Sequence, residues 1–81
     1  MEEQNIYHHL VQYRWTTKRG NALTHHYVDD YAISRYADLE YLNLDNVNYS
    51  MAVKRLGLLN KNLHDFKIVK IYESKVVGQH Q

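Results

Sequence analysis

Apolar and polar positions alternate most regularly near the start of the chain. From Ile6 to Thr17 (IYHHLVQYRWTT), Tyr7, His9, Val11, Tyr13 and Trp15 fall on one side, and His8, Gln12, Arg14 and Thr16 on the other. A period of two, rich in aromatic and β-branched side chains, predicts a half-buried strand. Lys18-Arg19-Gly20 then fits a three-residue hairpin loop with its glycine in the left-handed region. Asn21 to Val28 (NALTHHYV) returns as the second strand. In that register Thr17 faces Asn21, so Trp15 stands opposite Leu23, Tyr13 opposite His25 and Val11 opposite Tyr27, all six on one face.

The middle of the chain carries two patterns. Tyr36 to Leu44 (YADLEYLNL) alternates with Ala37, Leu39 and Tyr41 inward, whereas Ser34 could cap a short helix bearing Tyr36, Leu39 and Leu42 or Asn43. The stop at Asp45-Asn46 favours a third strand near 39–44. A helix follows, with Asp45, Asn46 and Asn48 as candidate N-caps and Tyr49, Ala52, Val53, Leu56 and Leu59 at helical spacing. Gly57 weakens it by about 1 kcal/mol of propensity relative to Ala, and Asn60-Lys61-Asn62 ends it. Asp65 to Val77 (DFKIVKIYESKVV) reads as a long strand. It is apolar on both sides around Ile68, Val69 and Ile71, which predicts a central place in the sheet. The expected fold is therefore α+β, β-β-(β)-α-β, with one helix packed on an antiparallel or mixed sheet of three to four strands. It forms a single domain over 1–81, with 1–4 and 78–81 fraying.

Composition sharpens this picture. Eighty-one residues bury only roughly 60–65% of the surface the unfolded chain exposes. So thin a core leaves little room for an enclosed active site and leaves a homo-oligomer as open as a monomer. Cys and Pro are absent, which removes disulfides and thiolate zinc sites and fits a reducing, cytoplasmic setting. The polar opening MEEQN and the lack of a long apolar run argue against export and membrane insertion. The net charge of +1 is unevenly spread. Residues 1–45 hold four bases and seven acids, and residues 46–81 six bases and two acids.

Candidate chemistry is sparse. His8-His9 and His25-His26 resemble metal ligands, but neighbours on a strand point to opposite faces. In the register above, His9 faces Asp29, about 13 Å along the strand from His25. Glu73-Ser74-Lys75, after Asp65, has the spacing of half a restriction-type nuclease signature, for which an exposed ion pair is the plainer account. Ser50 and Ser74 lack a His-carboxylate relay, and no metal or cofactor site is expected. Eight tyrosines are the more informative feature, six of them within the first 41 residues. One helix over a small sheet cannot bury them all, and exposed tyrosine suits interfaces. The expected partner-binding set is Tyr27, Asp29, Asp30, Tyr31, Tyr36 and Tyr41, with a protein as partner. The alternative is single-stranded nucleic acid held by the basic, aromatic hairpin 13–19, through Tyr13, Arg14, Trp15, Lys18 and Arg19.

In size, compactness and freedom from Cys and Pro, the chain resembles the small accessory proteins with which bacteriophages bind and disable a host or defence enzyme. The resemblance is to a class and rests on no particular residues. It implies a non-enzymatic inhibitor acting in the host cytoplasm, of the anti-CRISPR or polymerase-inhibitor kind.

Overall fold

Gly20 is where the chain first reverses, and its backbone decides the sheet. In the computed structural model, which describes residues 4–44, 46–58 and 63–80, Gly20 has φ 60°. It takes the first central position of a two-residue turn with Asn21, the place where a type II′ hairpin requires positive φ. Strand β1 (Gln4–Arg19) enters this turn and β2 (Ala22–Ser34) leaves it. The expected three-residue loop is thus replaced by a shorter one, and the register moves by three residues. Trp15 pairs with His26, Tyr13 with Val28 and Val11 with Asp30. An odd shift turns the returning strand over. Leu23, His25 and Tyr27 therefore do not share the face of Trp15, Tyr13 and Val11, as the alternation alone suggested. The physical reason is length: this register pairs β2 without a break as far as Ser34, well beyond the expected end at Val28.

Two helices follow where a strand and a helix were expected. Helix α1 (Leu39–Asn43) occupies the stretch assigned to a third strand. Its first turn closes from the Leu42 amide to the Asp38 carbonyl at 2.9 Å, and it buries Leu42 while Leu39 and Tyr41 stay exposed. Five residues are too few for a period to separate helix from strand. Helix α2 (Asn46–Arg55) ends earlier than the spacing predicted. The amide of Gly57 bonds Lys54 O at 3.2 Å and that of Leu58 bonds Val53 O at 2.9 Å. With Gly57 at φ 72°, this is a Schellman cap. Gly57 terminates the helix rather than weakening its interior. Residues 45 and 59–62, including the expected turn at 60–62, lie outside the described residues, as do 1–3 and 81 at the ends.

Strand β3 (His64–His80) completes an antiparallel sheet of order β2-β1-β3. The fold is thus β-β-α-α-β, and the expected β-β-(β)-α-β arrangement is overturned. β3 sits at an edge and β1 at the centre. Its two-sided apolarity comes from bulges: Tyr13 pairs with Ile68, Val11 with Ile71 and His9 with Ser74, leaving Val69 and Tyr72 as extra residues. Each bulge resets the alternation, so apolar residues become consecutive without both faces being buried.

The core forms on one face only. Val11, Tyr13, Ala32 and Ile68 from the sheet meet Leu42 of α1 and Ala52 of α2, with Trp15, Val28, Phe66 and Ile71 packed around them. Helix α1 packs on β3 and α2 on β2. The molecule is 53 Å long, and its two short helices cover one side of it. Replacing Gly20 with Ala tests the turn. No atom stands within 4 Å of the new Cβ, so the cost is backbone strain alone. Urea unfolding should show a loss of about 1–2 kcal/mol, and an unchanged midpoint would contradict the positive-φ turn.

Candidate functional site

Strict pairing of β1 with β2 places His8, Leu10, Gln12, Arg14 and Lys18 on the face opposite the helices, with Ile33, Tyr31, Asp29, Tyr27 and Leu23 across from them. β3 contributes Lys75, Glu73, Lys70 and Lys67 in the rows of His8, Leu10, Gln12 and Arg14. No described helix packs on this side. It is a bare sheet face, and Leu10, Tyr27, Tyr31, Ile33 and Tyr72 are each at least 41% exposed on it.

A groove of about 380 Å³ opens there, lined by Leu10, Val11, Asp29, Asp30, Tyr31 and Tyr72. Its walls are held by specific contacts. Tyr72, the extra residue of a bulge, reaches over the central strand and donates its hydroxyl to Asp29 Oδ1 at 2.9 Å. The Lys70 ammonium lies 4.9 Å from the Tyr72 ring centre. His8 meets the Tyr31 ring edge-on at 5.1 Å. Arg55 comes round the free edge of β2 from α2. Its Nε pairs with Asp30 Oδ2 at 2.9 Å, its Nη2 donates to Tyr31 O at 3.0 Å, and its guanidinium carbon lies 4.6 Å from the Tyr31 ring centre. Asp30 Oδ1 accepts the Tyr31 amide at 2.8 Å.

The expected partner-binding set is divided. Tyr27, Asp29 and Tyr31 share the bare face, and Asp30, which also lines the groove, pairs with Arg55 of α2. Tyr36 and Tyr41 stack on each other with centroids 6.0 Å apart, beyond the end of β2. The nucleic-acid set also separates by alternation. Arg14 and Lys18 lie on the bare face, whereas Tyr13 is buried and Trp15 stacks on His26 (5.3 Å) and meets Phe66 at a tilt (5.6 Å) on the helical side. Trp15 and Tyr13 therefore offer no open ring beside Arg14. Sequence reasoning missed Leu10, Ile33 and Tyr72. The signal for Tyr72 lay in the apolar run of β3, which a bulge explains.

The histidines do not converge. His9 faces Ala32, not Asp29, and His25 and His26 lie on opposite faces far toward the hairpin tip. Among the described residues no group of three or more His, Cys, Asp or Glu could hold a metal. His9 is wholly enclosed and bonded at both nitrogens, to Tyr36 O at 2.8 Å and Ser74 Oγ at 2.6 Å. A carbonyl only accepts, so Nε2 carries a proton there, and Nδ1 and the Ser74 hydroxyl share the second hydrogen bond. The pair resembles a nucleophile and base, but the groove opens on the other face of the sheet. Glu73 and Lys75 form an exposed ion pair at 3.3 Å, and Asp65 stands eight residues away, roughly 26 Å along a strand.

The molecule is thus a small, mostly antiparallel three-stranded sheet with two short helices, a one-sided core and a grooved, tyrosine-bearing bare face. No protein-family model matches the chain, and no curated protein or solved structure does so significantly. Among the described residues no helix is long and apolar enough to cross a membrane.

Two phenols respond to their surroundings. Burial holds the Tyr13 hydroxyl above its usual value, with the Arg55 charge opposing and Asp30 adding. The hydrogen bond to Asp29, then desolvation and the aspartate charge, hold Tyr72 above its ordinary 10.0. A raised phenol pKa means the Tyr72–Asp29 contact is intact below the ordinary value and is lost as pH climbs through the raised one. Ring-carbon NMR of Tyr72 across the alkaline range should show Asp29→Ala moving its ionisation back toward 10.0. An unmoved titration would mean that the hydrogen bond does not form in solution.

Proposed function

We propose that this protein is a non-enzymatic binding module that docks a protein partner on its bare sheet face. The observation that carries the reading is the groove itself. It sits amid exposed Leu10, Tyr27, Tyr31 and Tyr72, on a face that no described helix covers. A cleft of this volume takes one or two side chains of a partner, and interfaces draw most of their energy from such anchors. The Tyr31 and Tyr72 rings are already restrained by Arg55, Lys70 and Asp29, so docking need not order these two. Inhibition of a host or defence enzyme, the activity implied by the resemblance to small phage proteins, is one use of such a surface and acts by occluding the enzyme.

Photo-crosslinking tests the reading. Benzoylphenylalanine placed at Leu10 or Tyr27 should give a protein adduct in cells, and the same group at Tyr41 or Met51 on the helical side should not. Tyr27→Ala and Leu10→Ala should each weaken binding to the captured partner by about 1–2 kcal/mol while leaving the unfolding midpoint nearly unchanged. Adducts only from the helical side would refute the assignment. Adducts only to nucleic acid would favour the alternative, and adducts only to a second copy would make the face a homo-oligomer contact.

A further inference from the structure

The bare face has a charge problem that the chain leaves unsolved. Arg14 pairs directly with Lys67, and Gln12, in the next row of that face, pairs with Lys70. Like charges directly opposite on neighbouring strands repel. Among the described residues neither Arg14 nor Lys67 has an ion-pair partner, and Arg14 Nε is shielded from solvent without an acceptor. The acids of the same face are engaged elsewhere: Glu73 with Lys75, and Asp29 with the Tyr72 hydroxyl. Three cations are thus gathered beside the groove, and among the described residues no carboxylate forms an ion pair with any of them.

Resting on the protein-binding reading above, we infer that the docked segment is an extended acidic peptide. It places an apolar side chain in the groove and carboxylates over Arg14, Lys67 and Lys70. Leu10 and Arg14 are four residues apart on β1, about 13 Å, so the anchor and the acids are separated by about four residues of extended chain. Guanidinium and carboxylate match in geometry, and a partly desolvated arginine gains most from that pairing. Carboxylates fit better than phosphates for two reasons. Stacking of successive bases needs several open rings, yet Arg55 covers one face of Tyr31 and Lys70 one face of Tyr72, leaving Tyr27 as the more open ring beside Arg14. Asp29 at the groove also repels a continuous phosphate backbone, while it tolerates an apolar anchor with acids only at one end.

The test uses the full chain and three fluorescent probes followed by anisotropy. They are a dodecapeptide with a Leu anchor followed four residues on by a run of Glu, its Lys-for-Glu counterpart, and a thymidine oligonucleotide of similar length. The Glu peptide should bind, shift the NMR signals of Arg14, Lys67 and Lys70, and weaken as salt rises. The double variant Lys67→Glu, Lys70→Glu, at exposed positions, should weaken it by about ten-fold or more and gain affinity for the Lys peptide. Failure of the Glu peptide to bind the folded protein would overturn the inference, as would tighter binding of the oligonucleotide. The two proposals fail separately. A crosslinked partner that is lost on Leu10→Ala but indifferent to the charge reversal leaves the docking face standing and removes the acidic segment. A partner indifferent to both removes the face.

Discussion

The turn at Gly20-Asn21 is the constraint from which the rest of this structure follows. With Gly20 at positive φ, two residues suffice to reverse the chain, and Arg19 must pair with Ala22. Every later pair on β2 is then fixed, and because side chains alternate, so is every face. Ala32, itself buried, comes to stand beside His9, whose enclosed ring bonds Tyr36 and Ser74. Asp30 turns toward α2 and finds Arg55. Tyr27, Asp29 and Tyr31 turn away from the helices. A hairpin one residue longer would reverse all three results together.

Long strands and short helices set the second condition. The two helices bury one sheet face, and they also quiet the two free edges. At the β2 edge the Tyr31 amide goes to Asp30 and its carbonyl to Arg55; at the β3 edge Asn43 of α1 bonds both the amide and the carbonyl of Ile68, at 2.7 and 2.8 Å. An uncapped edge is a template for pairing with another chain. Side chains thus meet one residue on each edge, Tyr31 of β2 and Ile68 of β3, whereas the bare face, our proposed docking surface, carries no such cover among the described helices. Arg55 serves both ends of this argument, since it closes the β2 edge and presses on the Tyr31 ring that borders the groove.

What was legible in the sequence was the local rhythm. The alternation from Tyr7 to Trp15 was visible, and His9, Val11 and Tyr13 are buried on one side as it implies. The helix around Ala52 and Val53 was visible through its spacing. Three things were not legible, each for a physical reason. Gly20 satisfies a two-residue and a three-residue turn equally well, and only the long pairing to Ser34 selects between them. Residues 39–43 are too short to show a period. The bulges at Val69 and Tyr72 make an edge strand look like a central one, because an inserted residue leaves the same trace as a second buried face. The tyrosine excess pointed correctly to exposed aromatic area, and the register decided which tyrosines lie together.

The opposed cations follow from the same geometry. Arg14 is held on the bare face by the alternation of β1, since Tyr13 and Trp15 on either side are needed in the core. Lys67 is brought opposite it by the bulge at Val69, which lets Ile68 reach that core. Neither residue can turn away without exposing an apolar neighbour. The exposed Lys67 side chain can splay away from Arg14, so the repulsion in water is small, and the isolated domain bears it easily. It grows as water leaves the face on docking, where the effective dielectric falls and two facing cations become costly unless anions arrive with the partner. A neutral apolar partner would therefore meet a rising penalty at this end of the face, and an acidic one would meet a reward at the same place. The acidic character we infer for the partner thus traces back to the core: keeping Tyr13, Trp15 and Ile68 inward forces Arg14 and Lys67 out together.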